Sequence, residues 1–217
     1  VVPLLRYAGE KGLHPAGTTL HVGSQCVHAE AWAETLDVCA AVWDAARDEG
    51  MALEILNLGG GYPATYLEAV PTVPQIEAVI AGKLAERFPG GIDVQVEPGR
   101  FVVGDAGVFV TTCVATARRE GTDWLFLDLG VFNGLMESVA GIRYRFSVED
   151  GGEEKSWTIA GPTCDGFDVV DRKVLLREPK VGGQVLVHTA GAYTTVYASN
   201  FNGLPIPLVV VDPDLNN

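Results

Sequence analysis

Positive charge is what this chain has least of. Only 15 Lys+Arg stand against 28 Asp+Glu, a formal charge of -13 over 217 residues. That balance repels a nucleic-acid backbone and an anionic membrane surface, so neither is expected as a partner. Long apolar runs are missing as well. No stretch approaches the ~18 uninterrupted apolar residues of a spanning helix, and no basic leader with an apolar core opens the chain. Neither export nor membrane spanning is expected, and the cytoplasm is the expected compartment. Cysteine is sparse and badly spaced for metal: Cys26, Cys39, Cys113 and Cys164 contain no CxxC, and the four histidines include no HxxxH pair. A disulfide framework and a metal site are therefore not expected. Internal repeats and low-complexity tracts are also absent.

What is present is a foldable apolar complement, 47% of residues, enough for one large domain or two modest ones. Its pattern changes near residue 103. Before that point helix and strand signals alternate. Residues 1–12 read as helical. Residues 30–49 carry Trp32, Leu36, Cys39, Ala40 and Trp43 at helical spacing, with Gly50 as a C-cap. Leu53–Leu58 reads as a strand. Pro71 and Pro74 mark a loop, Gln75–Phe88 reads as a second helix, and Ile92–Val96 as a buried strand. This is the βαβ rhythm of a parallel sheet or barrel. After residue 103 short β-like runs take over, at Val108–Ala115, Trp124–Leu129, Ile142–Val148, Ser156–Ile159, Gln184–His188 and Pro207–Val211. The expected organisation is therefore an α/β part over 1–103 and a β domain over 104–217. The first part holds only about three strand–helix units where a closed barrel needs ~8. With no initiating methionine and a start inside a helical segment, the chain reads as the C-terminal portion of a longer protein.

Three strand-like runs of the first part end in unusual chemistry. One closes in His21-Val22-Gly23-Ser24-Gln25, one in Asn57-Leu58-Gly59-Gly60-Gly61-Tyr62, and one in Glu97-Pro98-Gly99-Arg100. Parallel strands bring their C-terminal ends to one face, where α/β folds build their sites. An imidazole, a hydroxyl, a glycine cradle, an acid and an arginine converging there suit a phosphorylated ring cofactor. Each also has a plainer reading. A glycine triplet can be a simple turn, His21 a hydrogen-bonded core residue, Glu97 a structural partner of Arg100, Cys164 an inert loop thiol and Tyr193 an ordinary strand aromatic. Gly59–Ala64 also matches GxGxxA, but Pro63 stands where the dinucleotide fingerprint needs a helix.

Jointly, HVGSQ, NLGGGYP, EPGR, GPTCDG, GAYTTVYASNFNG and the run Leu127–Leu135 resemble the fold-type III, pyridoxal-phosphate-dependent decarboxylases, and within them the bacterial ornithine decarboxylases of the eukaryotic-like type. The resemblance spans essentially the whole chain, in order. It implies a TIM-type (alanine racemase-like) α/β barrel portion followed by a C-terminal β-sandwich or barrel domain, pyridoxal 5'-phosphate as cofactor, and a head-to-tail homodimer with shared active sites. It further implies that His21 stacks on the pyridine ring and that Glu97 meets the ring nitrogen and keeps it protonated. Ser24, Gly60, Gly61, Gly99, Arg100 and Tyr193 would hold the phosphate. Cys164 would protonate the α-carbon, and Asp165 would bind the distal ammonium of a small diamino-acid substrate. In the family the Cys-Asp pair enters the neighbouring subunit's site.

The family's cofactor-bearing lysine lies in an upstream barrel strand. Lys11, Lys83, Lys155, Lys173 and Lys180 fall in no matching motif, so this chain alone is expected to be inactive. Phe132 departs from the residue many relatives carry before the Gly-Leu, and Glu137 nearby is only loosely assigned to the substrate. Asp165 favours a terminal cation, which orders the substrates as ornithine, then lysine or both, then diaminopimelate. Two other classes stay open. One is a non-catalytic regulatory homologue; the other is a dinucleotide- or sugar-binding enzyme, which would leave Glu97 and Cys164 without roles.

Overall fold

In the computed structural model, which describes residues 1–211, apolar spacing sets the helices of the first part. They are α1 (Val2–Glu10), α2 (Glu30–Asp48), α3 (Val73–Arg87) and the short α4 (Gly99–Val103). On α2 the buried stripe is Trp32, Leu36, Cys39 and Ala40, and Trp32 and Leu36 have no exposed surface. The chain leaves α2 through Gly50 at φ +79°, a conformation that glycine adopts without a Cβ clash. α3 begins two residues before the expected Gln75. Pro74 lies in its first turn, where the missing N–H needs no partner, and not in a loop. Thr72 and Gln75 close the start as a capping box, with Thr72 N donating to Gln75 Oε1 at 2.8 Å.

Between these helices run β1 (Gly17–Thr19), β2 (Ile55–Asn57) and β3 (Asp93–Gln95), all parallel in the order β1-β2-β3. Leu56, Leu58, Trp32, Leu36 and Ile76 form the core of this unit, and the Trp32 and Tyr62 rings meet at 5.3 Å. β3 is an edge strand and its residues are exposed, which corrects the expectation of a buried strand over 92–96. It has a neighbour on one side only, so the apolar residues Val94 and Val96 stay in contact with solvent. This is the α/β barrel portion expected from the sequence, with three of its parallel strands present.

Residues Val1–Ala64 and Ala69–Val102 form this first unit; Thr65–Glu68 and residues from Val103 onward form the second. The second unit is built from β4 (Phe109–Arg119), β5 (Thr122–Leu127), β6 (Phe146–Ser147), β7 (Gly151–Ala160), β8 (Val169–Pro179) and β9 (Gln184–Val187). Their order is β6-β9-β4-β5-β7-β8, and only β5 and β7 are parallel. β4 pairs with β9 through 109–112 and with β5 beyond Cys113, where the register shifts at a bulge. A bulged strand that passes from one ladder to another is how β domains turn corners. Leu125, Leu127, Trp157, Ile159, Val185 and Val187 fill the core.

Three sequence expectations change here. β8 carries no strand signal, because Asp171, Arg172, Lys173, Arg177 and Glu178 make it read as a loop; it is an edge strand, where charge is tolerated. The run 142–148 pairs only at Phe146–Ser147. Pro207–Val211 joins no ladder among the described residues. No helix among the described residues is long and apolar enough to cross a membrane.

Candidate active site

The three strand ends of the first unit do converge. Past β2 and β3 the pairing continues, with Leu58 N donating to Gln95 O and Glu97 N to Gly59 O, both at 2.8 Å. That ladder sets Glu97 beside the glycine turn. Asn57 then ties the two together: its Nδ2 donates to Glu97 Oε1 at 2.8 Å while its Oδ1 accepts from Gly59 N at 2.7 Å. The Glu97 carboxylate is thereby oriented although the residue is exposed.

Gly60 lies between the Glu97 backbone and the imidazole. A Cβ there would come within 2.9 Å of Glu97 O and 3.6 Å of His21 Nε2. His21 Nδ1 accepts from Gly23 N at 2.9 Å, so in the neutral ring Nε2 carries the proton. Gly61, at φ +96°, packs so tightly on the His21 loop that a Cβ would meet Gly23 O at 2.5 Å and Val22 Cγ2 at 2.6 Å. Three more bonds bind that loop to the glycine turn. Cys26 N donates to Gly61 O at 2.9 Å, and the Gln25 side chain pairs with Ala64 N at 3.0 Å and Ala64 O at 2.6 Å.

Arg100 follows in the first turn of α4, only 4% exposed, and its Nη2 donates to Ser24 Oγ at 2.9 Å. Gly99 N donates to Glu97 O at 2.8 Å. Of the residues named from the sequence, His21, Ser24, Gly60, Gly61, Glu97, Gly99 and Arg100 therefore share one connected stretch of hydrogen bonds and contacts. A buried guanidinium, a hydroxyl and side-chain-free glycines are the donor set that an anion such as phosphate requires.

The second unit carries the other three. Cys164 and Asp165 lie in the loop between β7 and β8, and both are exposed. Asp165 Oδ1 accepts from Phe167 N at 2.8 Å, an Asx turn that holds the carboxylate at the surface. The loop hangs on Asp168, 2% exposed. Its Oδ1 accepts from Val131 N at 2.7 Å, and its Oδ2 from Thr163 N at 3.0 Å and Thr163 Oγ1 at 2.8 Å. Gly130 and Gly161 wrap this carboxylate so closely that a Cβ on either would collide with it. The ring of Phe132 lies 4.5 Å from Phe201 and 6.1 Å from Phe167, an aromatic cluster in the same unit. Tyr193 is in a turn at φ +54° and not in a strand, 41% exposed, with Tyr197 6.0 Å away.

Four residues escaped the sequence reading: Asn57, Asp168, Phe201 and Asn202, whose amide Nδ2 donates to Cys164 Sγ at 3.2 Å. Each lies inside or beside a quoted motif, and an Asn before a glycine turn is a recognisable signal. What the motifs could not convey is the bonding partner.

Known proteins resemble this chain along most of its length. Residues 2–104 match the family described as pyridoxal-dependent decarboxylase, pyridoxal binding domain. The lysine/ornithine decarboxylase of Selenomonas ruminantium is 35% identical over 216 residues, 97% of this chain and 54% of that protein. Antizyme inhibitor 2 of Xenopus laevis is 30% identical over 219 residues, 92% of this chain and 48% of that protein. The solved structure of lysine/ornithine decarboxylase complexed with cadaverine from Vibrio vulnificus matches with a TM-score of 0.83 at 32% identity, over 94% of this chain and 57% of that one. The chain thus spans about half the length of the relatives it matches.

Proposed function

Because the chain belongs to the fold-type III pyridoxal-dependent decarboxylases, we propose that it carries the cofactor-ring and phosphate side of an enzyme that decarboxylates a basic amino acid. One observation supports this most: Asn57 ties the Glu97 carboxylate to the glycine turn that the His21 imidazole approaches. Bound pyridoxal phosphate supplies the electron sink that accepts the pair left when carbon dioxide departs. Glu97 holds a proton on the ring nitrogen, which makes that sink effective. His21 covers one ring face. Ser24, Gly60, Gly61, Gly99, Arg100 and Tyr193 hold the phosphate through hydroxyl, backbone N–H and guanidinium donors. Cys164 Sγ returns a proton to the α-carbon, and Asp165 pairs with the distal ammonium.

Ornithine is our first substrate, giving putrescine as in polyamine synthesis, and lysine the second. The Selenomonas relative is named for both, and one methylene separates them, which a pocket distinguishes by only ~1–3 kcal/mol. Diaminopimelate ranks third, since its second carboxylate would face Asp165. We take 1–103 as the cofactor-binding portion and 104–217 as the β domain, working as a cytoplasmic homodimer whose Cys164-Asp165 loop serves the neighbouring subunit's site.

The lysine that bonds the cofactor is to be sought outside these residues. Lys83 is bonded to Asp37 and Glu86 and Lys155 to Glu178, and those hydrogen bonds raise the pKa of both. The likeness to antizyme inhibitor 2 favours a second reading, a regulatory homologue without catalysis.

The test is to mix the intact protein with pyridoxal phosphate, follow cofactor binding by visible absorption, and measure amines released from ornithine and lysine. Binding with amine release is the expected result, and Glu97→Gln should keep binding while losing most turnover. Binding without amine release would favour the regulatory reading, and no binding would overturn both.

A further inference from the structure

Asn202 occupies a backbone conformation that few residues tolerate. Its φ is +56° and ψ +20°, followed by Gly203 at φ +73°. A left-handed residue with a Cβ is costly, least so for asparagine. The turn is anchored on both sides. Ser199 N donates to Phe132 O at 2.9 Å, the Phe201 ring lies 4.5 Å from Phe132, and Gly203 N donates to Asn200 O at 2.9 Å. The outcome is an amide Nδ2 aimed at Cys164 Sγ, 3.2 Å away and 38 residues distant in the chain.

A thiol that gives up its proton becomes an anion. A neutral N–H already directed at the sulfur stabilises that anion with no rearrangement, and it also fixes where the S–H points. We propose that Asn202 is a positioning residue for proton delivery by Cys164. The inference rests on the reading of Cys164 as proton donor. In that step the bonding pair left on the α-carbon takes the proton from Sγ, so a C–H bond forms as the S–H bond breaks. The resulting thiolate accepts the Asn202 N–H and regains its proton from water after product leaves.

The test uses Asn202→Asp and Asn202→Gly in the intact enzyme. Asp and Gly both suit a left-handed backbone and neither offers a side-chain N–H; a purely structural role would leave Asn202→Gly near wild type, while Asn202→Asp also sets a carboxylate against the sulfur. The first readout needs no cofactor. Iodoacetamide labelling of Cys164 at fixed pH, followed by peptide mass, should slow about 10-fold in Asn202→Asp and several-fold in Asn202→Gly. Buried Cys39 and Cys113 serve as silent internal references. The second readout is product partition in the cofactor-loaded enzyme. A proton misdirected to the cofactor releases, after hydrolysis, a carbonyl compound in place of the amine. Both variants and Cys164→Ala should raise that fraction, and Asn202→Gly should add nothing in the Cys164→Ala background. If Cys164→Ala shifts the partition but either readout stays at wild-type level in the Asn202 variants, the positioning role is overturned and the proton-donor reading stands. If Cys164→Ala leaves the partition unchanged, the proton-donor reading fails and the positioning role fails with it.

Discussion

Gly60 and Gly61 in the first unit and Gly130 and Gly161 in the second are all crowded, but by different groups. Around Gly60 and Gly61 the neighbours are backbone carbonyls of Glu97 and Gly23 and the His21 ring, so the missing side chains keep three strand ends in close register. Around Gly130 and Gly161 the nearest neighbour is one buried carboxylate, that of Asp168. At these glycines the first unit is crowded mainly by main chain, the second mainly by one side chain. A site built on main chain should resist side-chain deletion and fail on added bulk; a loop hung on one carboxylate should do the reverse.

The sharpest way to break that contrast is Asp168→Ala. It strands one buried donor, Val131 N, and two half-buried ones, Thr163 N and Thr163 Oγ1, each costing up to ~1–3 kcal/mol when unsatisfied. We expect a loss of about 3–5 kcal/mol in denaturant unfolding; a loss under about 1 kcal/mol would remove Asp168 as the loop's anchor. Next is Gly61→Ala. Its φ of +96° and the closeness of Gly23 O predict a destabilisation of about 1–3 kcal/mol, together with a weakened phosphate site seen as at least a ~10-fold loss of pyridoxal phosphate affinity. Asn57→Ala is smaller. It removes the bonds to Glu97 and to Gly59 N, and should cost ~1 kcal/mol in stability while lowering turnover more than cofactor affinity. Equal losses of turnover and affinity would mean that Asn57 shapes the phosphate cradle, not the acid.

The smallest effect concerns pH. Burial first, then the Arg145 charge, lowers the pKa of His188, whose Nε2 meets Ser147 Oγ at 2.7 Å. The folded state therefore prefers the neutral ring. Its contribution is fully present above the ordinary value of 6.5 and is lost as pH falls through the lowered folded-state value. His188→Gln should flatten the decline of stability on the acid side of 6.5, read as a shallower fall in thermal midpoint with pH. An unchanged slope would assign that decline to other groups.

Legibility followed the range of the interactions. The α2 stripe, the Gly50 exit and the glycine turn were readable because each is settled within a few residues, by helical period or by sterics at one φ. EPGR was readable by its place at the end of a strand, and GPTCDG through the family resemblance. β8 was not, because its charges are compatible with a strand only at a sheet edge, and edge position is a property of the assembled sheet. The exposed faces of β3 were missed likewise: apolar residues announce a strand but not how many neighbours it has.

By itself, then, the amino-acid order determined the residue types at the strand ends, the boundaries of α1, α2 and α3 to within two residues and the change from α/β to β near residue 103. Tertiary structure alone decided that Asn57 clamps Glu97 across 40 positions, that Asp168 bonds Val131 across 37, and that Asn202 reaches Cys164 across 38. The reason is physical. Helical and turn propensities act between near neighbours, whereas a hydrogen bond between distant residues exists only after folding has brought both groups into range.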